Sequence, residues 1–280
     1  MAMALTAMVA ACADGPAAES QERAVSASTA PAVDGAVIDW PPIHLDQVQE
    51  RIVNGKNEAR QDYQFALENC RKTDWPINEL TSAELERLGT TRVRMWISPQ
   101  LEVIRDDEWK LALDGDASAG SCLFRLKHQG RYSYMDGSMG MSRELGEPTS
   151  GAGIDPDPGM SAGAEIPPRY PLDPPSGPRG GFSPLGTSQA AGHPCRAWRG
   201  DGERGPIEQC LWSGGRAFGF DDHDTGEGCS PGRTIESNLG SIILTQEPVD
   251  GDGCRIRTLA FTVGSTLDSA AYSPPEGGRP

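Results

Sequence analysis

Apolar residues recur at intervals of three and four along residues 43–71. This spacing places them on one side of a helix, and Asn54-Gly55 interrupts it, so the pattern predicts either two helices or one bent helix. A shorter helix is predicted after the capping box of Thr81 and Glu84, with Gly89 ending it. The apolar positions are 43, 45, 48, 52, 59, 63, 67 and 70.

The hydrophobic period changes to two beyond residue 90. Short alternating runs separated by turn residues predict an antiparallel meander. In one run Cys122 and Phe124 share a face while Arg125 and Lys127 share the other, which is typical of a sheet covered on one side. Helices packed on this meander give an α+β fold class. The predicted strands are 91–97, 101–105, 109–113, 121–127 and 131–135.

Residues 147–194 contain eleven Pro and nine Gly. A segment of this composition buries too little apolar surface to offset the conformational entropy that it would lose on ordering. It therefore predicts a linker or mobile loop. The strand-like runs after it predict a small β lobe, with Asp250–Gly253 as a hairpin turn. These runs are 207–212, 216–220, 241–246 and 254–263. The predicted division is 1–11 signal peptide, 12–38 tether, 39–146 α+β lobe, 147–193 linker, 194–268 β lobe and 269–280 disordered tail.

The first eleven residues are apolar and uncharged, as in the core of an export signal. Val9-Ala10-Ala11-Cys12 resembles the lipobox of bacterial lipoproteins. The resemblance implies cleavage before Cys12, lipidation of its thiol and a flexible tether behind it, and Ala13 then implies sorting to the outer membrane of a Gram-negative cell, facing the periplasm. Export signals normally start with a basic residue, whereas the first one here is Arg23. Either the true start lies upstream, or this is the Ala-rich N-terminus of a cytoplasmic protein.

The chain has seven cysteines, an odd number for an exported protein. Lipidation of Cys12 would leave six, enough for three disulfides in an oxidising periplasm, while six reduced thiols are the alternative. Pairing within each predicted lobe gives Cys70–Cys122 and two bridges in the second lobe, whereas crossed pairs would tie the lobes together. The second-lobe candidates are Cys195, Cys210, Cys229 and Cys254.

Composition narrows the function classes. A hydrophobic fraction of 37%, with 6% aromatic residues, argues against a large compact enzyme. The net charge of −15 repels phosphate backbones, so no nucleic-acid partner is predicted. No apolar run is long enough to cross a bilayer.

The densest set of potential ligands lies in an acidic stretch near Cys229. Its oxygen ligands suit Ca²⁺, and an imidazole beside carboxylates suits Zn²⁺, but the spacing matches no EF-hand, and a solvated acidic loop is the alternative. No other cofactor and no catalytic residue is predicted. The candidate metal ligands are Asp221, Asp222, His223, Asp224 and Glu227.

Three aromatic residues are candidates for a binding surface. If the meander buries the face of Cys122 and Phe124, then some of Trp96, Tyr132 and Tyr134 lie on its open face, where exposed rings would mark a partner site.

The combined interpretation is a lipid-anchored cell-envelope protein that acts as a non-catalytic binding or assembly module. Its partner would be a protein or an envelope polymer, and the acidic charge favours an inhibitor or immunity role towards a basic partner. The alternatives are a metal-assisted periplasmic hydrolase that uses loop 221–227 and a passive structural lipoprotein.

Overall fold

The computed structural model describes residues 39–114, 120–136, 139–146, 181–202, 204–220 and 241–265. Within these ranges lie twelve strands, two α helices and one 3₁₀ helix. The strands are β1 Ile43–Val53, β2 Lys56–Asn57, β3 Ile77–Asn78, β4 Thr90–Ile97, β5 Leu101–Leu113, β6 Cys122–Asp136, β7 Met139–Gly146, β8 Ser183–Ala190, β9 His193–Gly202, β10 Gly205–Trp212, β11 Ile243–Pro248 and β12 Gly253–Val263. The helices are α1 Glu58–Cys70, α2 Ser82–Arg87 and the 3₁₀ helix Ser213–Phe218.

All twelve strands belong to one mixed sheet in the order β3-β6-β5-β4-β1-β12-β11-β10-β9-β8, with β2 beside β1 and β7 beside β6. Neighbouring strands are antiparallel except β3 and β6. Strand β1 pairs with β4 on one side and with β12 on the other. The predicted α+β fold class, with a separate β lobe, was therefore wrong, because the first described strand joins strands from both halves of the chain.

The predicted helix over residues 43–71 was also wrong in its first half. Residues 43–53 form β1, and Asn54-Gly55 makes the hairpin turn to β2, with both residues at positive φ (50° and 74°). The strand was missed because its central place in the sheet buries both faces, including polar side chains such as Gln47 and Glu50. That burial hides the alternation by which a strand is recognised.

Helices α1 and α2 pack over one end of β5 and β6. Asn57 caps α1 by accepting a hydrogen bond from the backbone N–H of Arg60, and α2 begins at the predicted capping box of Thr81 and Glu84. Tyr63 of α1 makes an edge-to-face contact with Phe124 of β6. The disulfide Cys70–Cys122 is confirmed and fastens the end of α1 to the start of β6.

The main core lies on one face of the sheet, which we call the inner face. It includes Leu45 of β1, Val93 and Met95 of β4 and Phe261 of β12, which come together with residues of β9 to β11. The other disulfide for which the structure gives both partners is Cys195–Cys210, one of the pairings that the sequence left open, and it is buried in this cluster. Cys254 is buried at the start of β12 and is also disulfide-bonded.

Several predicted strand boundaries need correction. The runs 101–105 and 109–113 are one strand, β5, and 121–127 and 131–135 are one strand, β6. Residues 216–220 were predicted as a strand but fall largely in the 3₁₀ helix. Strand β8 lies inside the range predicted as a linker. No helix among the described residues is long and apolar enough to cross a membrane.

Candidate functional site

The opposite side of the sheet, the outer face, carries a continuous set of charged side chains across β12, β1, β4, β5 and β6. The register places Arg257, Val48, Arg92 and Asp107 in one row across four adjacent strands. Asp46, Arg94 and Arg105 form the next row. We call this set the charged band. It comprises Asp46, Glu50, Arg92, Arg94, Arg105, Asp107, His128 and Arg257.

Asp107 is the most enclosed carboxylate of the charged band, with a side chain only 3% exposed. Arg105 donates to both of its oxygens, at 2.9 and 3.2 Å, Arg94 donates to Oδ2, and Nε2 of His128 lies 2.8 Å from Oδ1. Burial by itself would raise the pKa of Asp107, but the hydrogen bonds from Arg105, Arg94 and His128 outweigh it, so the pKa is lowered. The group is therefore held as a carboxylate.

The strand geometry beside Asp107 requires a glycine. Gly130 is its partner on β6, and a Cβ there would lie 2.4 Å from the backbone oxygen of Asp106. A side chain at this position would force the two strands apart and disturb the contacts of Asp107 with its cations.

Asp46 and Arg92 form a two-pronged ion pair, with Nε 2.9 Å from Oδ1 and Nη2 2.5 Å from Oδ2. His44 lies two residues before Asp46 on the same face and stacks on Trp96, with ring centroids 5.2 Å apart. Burial is the largest cause that lowers the pKa of His44, which Asp46 raises in part and Arg94 and Arg92 lower further. The imidazole is therefore held towards its neutral form.

Glu50 connects the charged band to helix α1. Its side chain is 5% exposed, and its Oε1 accepts hydrogen bonds from Arg60 at 3.1 Å and from Asn57 at 3.3 Å. Arg257 approaches Oε2 from β12 at 3.5 Å. The N-terminal end of α1 is thus fixed to the sheet by a buried carboxylate that is neutralised from two sides.

The local charge balance is positive. Three buried carboxylates of the charged band, at 46, 50 and 107, are contacted by five guanidinium groups, those of Arg60, Arg92, Arg94, Arg105 and Arg257. The side chains of Arg92 and Arg257 remain 41% and 57% exposed. Chemically, the band is suited to charge-assisted hydrogen bonding with carboxylate or phosphate oxygens. The lowered pKa of Asp107 makes that carboxylate poorly suited to accept a proton in catalysis.

Two cavities flank Glu50. One, of about 320 Å³, is lined by Lys56, Arg60, Gln64 and Arg255 among others, and we call it the Lys56 cavity. The other, of about 270 Å³, lies where β4 begins between β1 and β5. Its lining includes Gln49, Arg51, Glu58, Ala59, Lys110 and Leu111, and we call it the Gln49 cavity.

The three predicted surface aromatics lie elsewhere than expected. Trp96 and Tyr132 are buried at 5% and 1% exposure in an outer-face cluster with Val103, and Tyr134 is partly buried against it. The expectation that Trp96 and Tyr132 are exposed was wrong. Because β6 is one continuous strand, Tyr132 and Tyr134 share the face of Phe124 instead of opposing it.

Other predicted sites lie outside the described residues. Cys12, Cys229 and the acidic stretch at 221–227 are among them. In the part of the chain that the structure describes, no group of three or more His, Cys, Asp or Glu side chains is arranged to hold a metal ion.

Sequence reasoning missed the charged band. Asp106-Asp107 looked like a turn between two strands, although it lies in the middle of β5. A usable signal was present, because Arg92 and Arg94 alternate with apolar residues in one strand while Arg105 and Asp107 alternate in the next, which predicts cross-strand ion pairs.

Comparison with known proteins does not assign the chain to a family: no protein-family model matches it, and no curated protein matches it at a significant level.

Proposed function

We propose that this protein is an exported, lipid-anchored binding module of the cell envelope, and that its partner docks on the charged band. The observation that carries the proposal is the excess of arginines over carboxylates on a sheet face that no other described strand or helix covers at Arg92 and Arg257. Half-exposed guanidinium groups, held in place by buried carboxylates, are preorganised for anionic oxygens.

Export is supported by cysteine chemistry. The two disulfides Cys70–Cys122 and Cys195–Cys210 are of the kind that forms in oxidising compartments and is rare in a reducing cytosol. The resemblance of Val9–Cys12 to a lipobox supports a lipid anchor that would hold the exported protein at a membrane of the cell envelope. Anchoring would keep the module at high local concentration near envelope components.

Although the whole chain is acidic, the charged band is locally positive, and the partner class that best fits it is an envelope polymer that carries carboxylate or phosphate groups. Such a polymer presents many anionic groups, so weak single contacts add up through multivalency. A second candidate, an inhibitor of a basic protein, is favoured by the net charge of −15 for the whole chain. In that case the contact surface would be an acidic one and not the charged band.

Site-specific photo-crosslinking separates these candidates. A photoreactive residue in place of Val48, in the middle of the charged band, should crosslink to cell-wall polymer in intact envelopes. The control carries the same photoreactive residue in place of Leu185, which is 53% exposed on β8. It should not crosslink to the polymer. Equal labelling from both positions, or a basic protein captured at Leu185, would refute docking on the band. Intact mass of the native protein tests the anchor, since lipidated Cys12 requires loss of residues 1–11.

A further inference from the structure

The Lys56 cavity is lined by more cations than carboxylates. Lys56 of β2, Arg60 of α1 and Arg255 of β12 supply positive charges, and Glu50 of β1 supplies a carboxylate that accepts a hydrogen bond from Arg60 at 3.1 Å. Because Glu50 and Arg255 are paired residues of adjacent strands, the cavity continues the charged band at its α1 end.

The excess of positive charge remains when the ion partners outside the cavity are counted. Arg257 approaches Oε2 of Glu50 at 3.5 Å, and Glu247 lies 2.8 Å from Nε of Arg255. These partners add one cation and one carboxylate, so the group keeps an excess of two positive charges. Glu58, in the first turn of α1, does not line the cavity and pairs with two arginines elsewhere.

Two of the lining cations can be reached by a ligand. The Lys56 side chain is exposed, and no carboxylate in the described part of the chain pairs with its ammonium group. Arg255 is 30% exposed and uses Nε for Glu247, whereas its Nη groups have no acceptor among the described residues. The hairpin turns next to these two cations are fixed to each other, because the N–H of Gly55 donates to the carbonyl oxygen of Gly251 at 2.7 Å.

We propose that the Lys56 cavity binds a phosphate monoester. Such a group carries about two negative charges near pH 7 and three strong acceptor oxygens, which matches the excess of positive charge around the cavity. A carboxylate, a phosphodiester or a sulfate ester carries a single negative charge and would leave part of that excess uncompensated.

The lining residues would divide the contacts with the phosphate. Nζ of Lys56 and the Nη groups of Arg255 would donate hydrogen bonds to its oxygens, and Arg60, which is held by Glu50, would add its charge from the helix side. A volume of about 320 Å³ accommodates the phosphate together with the single sugar unit that carries it.

This inference rests on the proposed function in one respect, which is that it takes an envelope polymer as a natural source of the phosphate. A polymer chain end that carries a phosphate monoester and a small sugar phosphate present the same chemistry to the cavity. On a polymer, the Lys56 cavity would bind that chain end while the charged band contacts anionic groups along the chain.

The test is calorimetric titration of the purified full chain with glucose 6-phosphate in a phosphate-free buffer. Glucose 6-sulfate has nearly the same shape but a single negative charge, and glucose has no charge. We expect glucose 6-sulfate to bind at least tenfold more weakly than glucose 6-phosphate, and glucose to show no binding.

Two single substitutions test the lining residues. Lys56→Gln should weaken binding of glucose 6-phosphate at least tenfold without changing thermal stability, and Lys110→Gln, the same change in the wall of the Gln49 cavity, should bind as the wild type does. Arg255→Gln should also weaken binding at least tenfold. Its matched control is Arg199→Gln, because Arg199 likewise pairs with a glutamate of the adjacent strand, and this variant should bind as the wild type does.

The result that would overturn the inference is no binding of glucose 6-phosphate by the wild type, equal binding of glucose 6-sulfate, or unchanged binding by Lys56→Gln or Arg255→Gln. The source of the phosphate is tested by co-sedimentation with cell-wall polymer before and after phosphatase treatment. Weaker sedimentation after treatment supports the polymer chain end, and unchanged sedimentation supports a small sugar phosphate in the same cavity.

Failure of the proposed function is distinguishable from failure of this inference. Wild-type protein that binds glucose 6-phosphate but not isolated cell wall would retain the cavity site and reject the polymer as partner. Protein that binds cell wall through the charged band but does not bind glucose 6-phosphate would do the reverse.

Discussion

Arg105 holds both carboxylate oxygens of Asp107, two residues further along the same strand, with Nε 2.9 Å from Oδ2 and Nη2 3.2 Å from Oδ1. The two side chains share a face because residues i and i+2 of a strand do. Arg94 reaches the same carboxylate from β4, so two guanidinium groups share one buried negative charge in the middle of the charged band.

The first prediction concerns the stability that this carboxylate provides. Asp107→Asn keeps the volume but leaves the cations of Arg94 and Arg105 without a counter-charge, so the free energy of unfolding should fall by about 3 kcal/mol. Urea unfolding measures it. Asp114→Asn is the control, because Asp114 is 57% exposed in its ion pair with Arg125, and it should change stability by less than about 1 kcal/mol. Equal effects of the two substitutions would show that Asp107 does not stabilise the sheet.

The second prediction is the pH dependence of the same group. The pKa of Asp107 is lowered in the folded state, so its contribution is fully present above the unfolded value of about 3.9 and is lost as the pH falls through the folded pKa. The stability difference between the wild type and Asp107→Asn should therefore shrink as the pH falls below about 4. A difference that grows below about pH 4 would contradict this assignment.

The third prediction concerns His44, whose pKa burial lowers. The unfolded chain then binds a proton more readily than the folded one, so stability falls as the pH drops below the unfolded value of about 6.5. His44→Phe keeps a ring to stack on Trp96 and removes this titration. Thermal unfolding of the variant should lose less stability than the wild type between pH 7 and pH 5, and parallel losses would rule out His44 as the source.

The fourth prediction concerns the two described disulfides. They close loops of 52 residues for Cys70–Cys122 and of 15 residues for Cys195–Cys210. Replacing either pair by alanine should lower the free energy of unfolding by about 2–5 kcal/mol. In protein recovered from its native cell, none of these four thiols should react with a thiol reagent before reduction. Four reactive thiols in such protein would argue against export.

Local features of the fold were predictable from the sequence, whereas its long-range pairings were not. Helix α2 follows from a capping box of adjacent residues, and the hairpin turn between β11 and β12 follows from Asp250–Gly253. Cys70–Cys122 was inferred because, once Cys12 is assigned to lipidation, these are the two cysteines left before the Pro/Gly-rich stretch. The pairing of β1 with β12 joins residues about 200 apart and has no local signal, so the single sheet was missed.

The charged band was missed for a related reason. Charged residues in a sequence are usually read as solvent-exposed turns, and Asp106-Asp107 fitted that rule. The buried position of Asp107 inside β5 depends on arginines of β4. These arginines become neighbours of Asp107 only in the folded sheet. The Gln49 cavity depends in the same way on contacts between β1, α1 and β5, and no spacing in the sequence indicates it.

The fifth prediction tests docking on the charged band. Arg92→Ala combined with Arg257→Ala removes the two most exposed guanidinium groups of the band, whose side chains are 41% and 57% exposed. Arg71→Ala combined with Lys72→Ala removes the same charge from the exposed end of α1 and serves as the control. Electrostatic binding should also weaken as salt is raised.

The most direct measurement is co-sedimentation of these proteins with isolated cell-wall polymer, before and after chemical blocking of its carboxylate and phosphate groups. The account predicts that the wild type and the Arg71/Lys72 variant sediment with the untreated polymer, and that the Arg92/Arg257 variant binds it at least tenfold more weakly. Blocking should abolish binding of all three. Wild-type protein that stays in solution, or a band variant that sediments as the wild type does, would contradict the central claim.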